Sequence, residues 1–201
     1  MHDKDSVHPG AVTDSVLGLI QEKCLSKSNR FGTDFIDQHL LVVQQLALTL
    51  AEKFGADQKA VIAAALLHDI AAIEDFDCLP DHAERGADRV SELLSPGGEL
   101  SGVGFDALRI DRIATCLREH STPRRHGETI VESVCVSNAN AMSQMLCPFF
   151  WYNYARDLKM LSHQQALAWY RGLVERNWGP LIDAAKNIVK EDYEAALVIT
   201  R

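Results

Sequence analysis

The 201-residue sequence has no Cys-x-x-Cys pair; its five cysteines, Cys24, Cys78, Cys116, Cys135 and Cys147, are scattered and odd in number. That excludes a zinc site built on paired thiolates and a closed disulfide framework. Several of them sit inside apolar runs, where a free thiol acts as a small core hydrophobe. A reducing cytoplasm is the expected compartment. Long hydrophobic runs are also missing. The most apolar stretches, residues 40–51 and 60–67, are short or interrupted by Gln44 and Gln45, so neither spans a bilayer and no membrane partner is expected. Residues 1–10 carry Asp3, Lys4, Asp5 and His8 without an apolar signal core. Positive charge is scarce: 20 Lys and Arg against 28 Asp and Glu leave a net charge of −8. A nucleic-acid polymer is therefore not an expected partner, because coating one requires a basic surface that releases counterions. A small anion held by a few local arginines remains compatible with that balance.

What is present is helical periodicity, with no alternating strand pattern, internal repeat or low-complexity tract. Residues 11–27 form a first amphipathic segment with Val12, Val16, Leu19 and Ile20 on one face. Residues 33–54 form a long second helix that Gly55 ends. Asp57 caps a third, residues 58–73, whose stretch 60–67 is apolar all round and so belongs at the centre of the fold. Further helices are expected over 81–94, stopped by Pro96-Gly97-Gly98, and over 105–120, 128–146, 162–175 and 180–199. The expected fold class is all-α, a bundle of about eight helices with short connections. The whole chain, 1–201, reads as one domain with a core at 34–145 and a helical extension at 146–201.

The most informative dipeptide is His68-Asp69, at the end of the apolar third helix. A carboxylate beside an imidazole there is costly unless something pairs with it, and a divalent metal uses both together. His39 lies 29 residues upstream in an apolar setting, and two antiparallel helices joined at Gly55 would bring it opposite His68. His82 and His120 follow on later helices. A lone histidine on such a face is more often a satisfied core or surface residue; the joint pattern is what carries weight.

That pattern, H…HD…H…H over consecutive helices, resembles the HD superfamily of metal-dependent phosphohydrolases. The string DQHLLVVQQLALTLAEKFGADQKAVIAAALLHDI is similar to the family's first helix pair, with His39, His68 and Asp69 in the ligand places. DHAERGADRVSELL resembles the helix whose histidine, here His82, serves two-metal members, and IATCLREHS the helix ending in the further histidine, here His120. The resemblance implies an HD-domain-like bundle holding one or two divalent transition-metal ions. Manganese, iron, cobalt, nickel and zinc all suit such nitrogen and oxygen donors. It also implies a metal-activated water that attacks a small phosphorylated substrate, a nucleotide or another phosphate ester, with Asp69 at the catalytic centre. One position departs from the pattern. The family's last ligand is an aspartate after an alanine, and the matching place here is Asn140, after Ala139. An amide oxygen is neutral and binds a metal more weakly than a carboxylate.

Arg85, Arg118, Arg124 and Arg125 are the candidate phosphate-binding cations, although the last two read more readily as solvated loop charges. Glu74 and Asp75, just past the HD dipeptide, are candidates for a proton-shuttling acid or for ordinary helix-end solvation. His2, His8, His126 and His163 read as surface residues. The aromatic group Phe149, Phe150, Trp151, Tyr152 and Tyr154 reads as packing or an oligomer contact, consistent with a homodimer, and less readily as a base-stacking pocket. Two other activities share the scaffold: a two-iron oxygenase, and a ligand-binding module whose catalysis the Asn140 change has weakened.

Overall fold

A computed structural model of the protein describes residues 8–201. Residues 1–7, and with them the expected surface position of His2, lie outside the described residues. Ten α-helices form the described chain: α1 Pro9–Cys24, α2 Leu41–Phe54, α3 Gln58–Leu67, α4 Ile70–Glu74, α5 His82–Leu94, α6 Ala107–Glu119, α7 Val131–Leu146, α8 Pro148–Asn153, α9 His163–Trp178 and α10 Asp183–Ile199. Two π-helical turns, Ile36–Leu40 and Tyr154–Leu158, and two 3-10 turns, Phe76–Asp81 and Ser101–Val103, complete it. The described residues contain no strand, and the fold is all-α, as the periodicity requires.

The architecture is built around α3. All eight residues from Ala60 to Leu67 are buried, so this helix presents no polar face and contacts α1, α2, α6 and α7. Ala60, Ala63, Ala64 and Ala65 are small enough for neighbouring helices to approach closely, while Leu66 and Leu67 supply volume. Full burial of one such leucine contributes about 1.5–3 kcal/mol; Leu66→Asp would instead bury an unpaired charge and break the core. Both ends of the α2–α3 hairpin are fixed locally. Gly55 takes the left-handed conformation (φ 70°, ψ 32°) that closes α2 without a Cβ penalty. The Asp57 carboxylate then accepts the backbone N–H groups of Lys59 and Ala60, satisfying two orphan donors of α3.

The second central helix is α7, which packs on α2, α3, α6, α9 and α10. It buries several polar side chains, two of which tie distant segments together. Asn138 donates to the carbonyls of Arg124 and Val134 (2.8 Å each) and accepts the N–H of Ile182 at 3.0 Å, tying the basic loop and the entry to α10 to one residue. Glu132 accepts the backbone N–H of Asp57 at 3.0 Å. The C-terminal helices α9 and α10 dock on α7 and on each other. Ser162 starts α9 with a reciprocal capping box to Gln165.

Beyond small shifts at helix ends, three differences from the expected helices stand out, and two of them build the site. The expected second helix, 33–54, begins as a π turn at Ile36–Leu40 before α2. The expected third helix, 58–73, breaks at His68-Asp69, where Asp69 leaves helical geometry (φ −107°, ψ 13°) and the chain restarts as α4. That break and the short α8 after Pro148 raise the number of helices from eight to ten. The third difference is that α10 starts at Asp183, after Pro180 and not at it.

Candidate metal centre

Four histidines and one aspartate from five segments meet at one point. His39 lies in the π turn before α2, His68 at the C-cap of α3, Asp69 in the break that follows, His82 at the start of α5 and His120 at the C-cap of α6. Single π turns recur at functional sites, and this one carries a ligand candidate. Three of the imidazoles are oriented by the same local device. The Nδ1 atoms of His68, His82 and His120 each face the carbonyl oxygen three residues back: Ala65 at 2.8 Å, Leu79 at 2.7 Å and Leu117 at 2.6 Å. For His68 and His120 these carbonyls are among those a helix end leaves unpaired. His39 has no such carbonyl; its Nδ1 meets the Ser143 hydroxyl at 3.1 Å.

These bonds fix the tautomers. A carbonyl oxygen only accepts, so Nδ1 of His68, His82 and His120 carries the hydrogen. Ser143 uses its own hydroxyl hydrogen on the carbonyl of Asn140 (2.7 Å), so it accepts from His39 Nδ1–H. In every case the other nitrogen, Nε2, is left to face Asp69. The carboxylate divides between two pairs. Its Oδ2 lies 3.1 Å from His68 Nε2 and 3.5 Å from His39 Nε2. Its Oδ1 lies 3.2 Å from His82 Nε2 and 3.6 Å from His120 Nε2. Within each pair the two Nε2 atoms are 3.0 Å apart.

With neutral imidazoles, this is a convergence of lone pairs with no hydrogen between them, which is unfavourable unless a cation lies among them. The spacing fits one. Donors about 2.0–2.2 Å from a shared metal stand roughly 3.0–3.5 Å apart for right-angle to tetrahedral coordination. The two triads, His39–His68–Asp69 and Asp69–His82–His120, share the carboxylate, and each has its donor atoms within 4.8 Å of one another. The donor set would therefore suit a cation in either triad, and Asp69 belongs to both.

The electrostatics agree with neutral His39 and His120. Burial pushes His39 down to about 4, outweighing the carboxylate beside it. Burial likewise lowers His120. His82 sits at the rim, where burial is outweighed by Asp69 and its pKa is raised. Burial alone would raise the Asp69 carboxyl, but the histidines facing it hold it well below the usual range, so it is ionised.

The site opens into a cavity of about 180 Å³ bordered by His39, Asp69, His82, His120 and Asn140, and also by Phe31, Leu79, Ser121, Gln144, Trp151 and Tyr154. Asn140 is buried on α7 and donates its Nδ2–H to the His120 carbonyl at 3.2 Å. It stands at the wall, as its place in the sequence pattern anticipates. The other expected site residues are not brought there. Glu74 forms a two-point ion pair with Arg89 (2.9 Å and 2.9 Å). Asp75 caps the 3-10 turn by accepting the N–H of Asp77. Arg85 pairs with Asp81, and Arg118 with Glu84 and Asp88, on the outer faces of α5 and α6. Arg125 borders a different cavity, beside Phe54 and α10, and Arg124 borders neither. His126 packs edge-on against Phe54, and His163 accepts from or donates to the Tyr152 hydroxyl at 2.7 Å.

Sequence reasoning missed Ser143, Trp151 and Tyr154 as parts of the site. A serine three residues after Asn140, on the same face of a fully buried helix, was the available signal for Ser143. Trp151 and Tyr154 belong to the aromatic group read mainly as packing. They do pack against the core, yet both also border the cavity.

The comparisons with known proteins agree with this geometry. No curated protein matches the sequence. A crystal structure of a predicted HD superfamily hydrolase from an uncultured Thermotogales bacterium superposes with a TM-score of 0.55. Its sequence identity is 20%, over 89% of this chain and 91% of that one, so the likeness is one of fold. The HD domain family matches residues 36–145, more than half of the chain and the span that holds every ligand candidate. By that match, and with its histidines and aspartate in the family's order, the chain belongs to the HD domain family.

Proposed function

We propose that this protein is a metal-dependent phosphohydrolase acting on a nucleotide or another small phosphate ester. HD domains bind divalent metals, and the observation that supports the reading is the division of Asp69 between two histidine pairs whose hydrogens all point away from it. Metal bound there would lower the pKa of a coordinated water and offset the charge of a phosphoryl group. The chain's own residues do the rest. The Nδ1–H bonds to Ala65, Leu79, Leu117 and Ser143 hold each ring in its ligating tautomer. Trp151 and Tyr154 shield the centre from bulk water.

Charge supports a phosphate over a neutral substrate. Among the described residues no lysine or arginine borders the metal cavity. The ligand set of four neutral imidazoles and one carboxylate supplies a single negative charge, so divalent cations held by it keep most of their charge for an anion. Asn140 contributes to this: an aspartate at that position would cancel one more unit.

The test is metal content followed by turnover. Purified protein is expected to hold about two transition-metal ions per chain and to release phosphate from at least one member of a broad phosphate-ester panel, with release abolished in Asp69→Ala. Absence of turnover across the panel by metal-loaded protein overturns the reading. Asn140 favours a second one, a module that binds a phosphorylated ligand without hydrolysing it. Tight binding without turnover, unchanged by Asn140→Asp, would select it.

A further inference from the structure

Trp151 is 8% exposed, and its Nε1 is buried without a hydrogen-bond partner among the described residues. An indole N–H only donates, and a buried donor left unpaired is rare enough to need a reason. The surroundings give one. The ring stands edge-on to His39, with centroids 5.2 Å apart and planes at 89°, and it borders the metal cavity. Tyr154 follows three residues later, also 8% exposed, with its ring 5.6 Å from that of Trp151. Burial and then Asp69 push its phenol upward in pKa, and Arg30 draws it back, so at neutral pH the hydroxyl is a donor. The cavity is thus bordered both by its metal-ligand candidates and by two residues of the 148–158 segment that carry neutral donors.

Tyr154 and Phe31 also border a second cavity of about 360 Å³, beside Arg30, Phe150 and Asn153. The metal cavity, at about 180 Å³, is the smaller of the two, and Phe31 and Tyr154 border both, so an organic substituent finds its larger space past those two rings.

We infer that Trp151 Nε1–H and Tyr154 O–H bind a non-reacting oxygen of the substrate's phosphate and so direct its organic group past the stacked Phe31 and Tyr154 rings (centroids 6.2 Å apart) toward the second cavity. This rests on the hydrolase reading and adds to it the residues that orient the substrate. Neutral donors held in place by packing suit an oxyanion whose charge is already balanced by metal. The substrate class is then a phosphate ester with a flat organic group, which the edge of that ring pair can contact while Arg30, Asp34, Asn153 and Asp157 meet its polar atoms.

Uniformly ¹⁵N-labelled protein is loaded with Zn²⁺, freed of excess metal, assayed for bound zinc and titrated with inorganic phosphate. Its three indole N–H resonances are assigned with Trp151→Phe, Trp169→Phe and Trp178→Phe. The Trp151 indole proton is expected to move downfield as phosphate binds, while those of Trp169 and Trp178 stay in place. In calorimetry, Trp151→Phe should bind phosphate about tenfold to a hundredfold more weakly at unchanged zinc content, the worth of one hydrogen bond to a charged acceptor. Phosphate binding with a stationary Trp151 resonance overturns the inference and leaves the hydrolase reading standing. Failure to load zinc or any transition metal overturns the hydrolase reading itself, and the inference with it.

Discussion

Ser143 and His39 are 104 residues apart in the sequence and joined by a 3.1 Å hydrogen bond in which the serine oxygen accepts from Nδ1. This is the one imidazole of the four that is oriented from another helix. Ser143→Ala leaves a buried N–H unpaired and frees the ring. Metal affinity is expected to fall about 10–100-fold, as for other residues that orient metal-bound histidines. Titration calorimetry with Mn²⁺ or Zn²⁺ measures it, and an unchanged Kd would show that the hydroxyl is dispensable.

Asn140→Asp has opposite effects without and with metal. Without metal, the Nδ2–H bond to the His120 carbonyl is lost and a carboxylate faces that oxygen, at an expected cost of about 1–3 kcal/mol. With metal, the added charge strengthens binding. The variant should therefore melt below wild type in chelator and show a larger upward shift of Tm when metal is added.

Removing His82 or His120 should dismantle one triad and spare the other. His82→Ala and His120→Ala are expected to carry about one ion per chain where wild type carries about two. Chelation of wild type should lower stability by about 2.7 kcal/mol relative to metal at a hundred times Kd, since binding to the folded state alone stabilises it. Elemental analysis and thermal melts with and without EDTA measure both.

Glu74 provides the contrast with Asp69. Its carboxylate is committed to Arg89, which also contacts Glu99 at 2.7 Å. Glu74→Gln is expected to lower stability by about 1 kcal/mol or less, because the pair is partly solvated, and to leave metal content and turnover within a few-fold of wild type. A thousandfold loss of turnover would restore the acid role that its position next to the HD dipeptide invites.

Acid sensitivity should trace in part to Asp57. Burial would raise its pKa, but the Arg109 guanidinium at 2.6 Å and the α3 N–H groups outweigh burial and lower it below 3.8. A carboxyl with a depressed folded-state pKa stabilises the protein above its unfolded-state value, and that contribution is lost as pH falls through the folded-state value. Asp57→Asn is expected to cost about 1 kcal/mol at neutral pH through the weakened cap and lost ion pair. Its urea midpoint should also depend less on pH below about 3.8 than that of wild type.

The sequence by itself determined the helical class, the central position of α3 and three members of the site. A run of eight apolar residues from Ala60 has only the interior as a stable place, and Gly55-Ala56-Asp57 closes one helix and caps the next by local rules alone. His39, His68 and Asp69 were legible because the hairpin geometry of α2 and α3 sets their approach. Only tertiary structure decided the assignments that depend on distance in space. Glu74 and Asp75 are adjacent to the HD dipeptide in the chain, yet α4 turns them toward Arg89 and their own turn. Trp151 and Tyr154 lie more than 80 residues beyond Asp69 and still border its cavity, because α7 crosses the bundle and delivers the following segment to the metal side. Local periodicity fixes which face of a helix is buried, and packing alone fixes what that face meets.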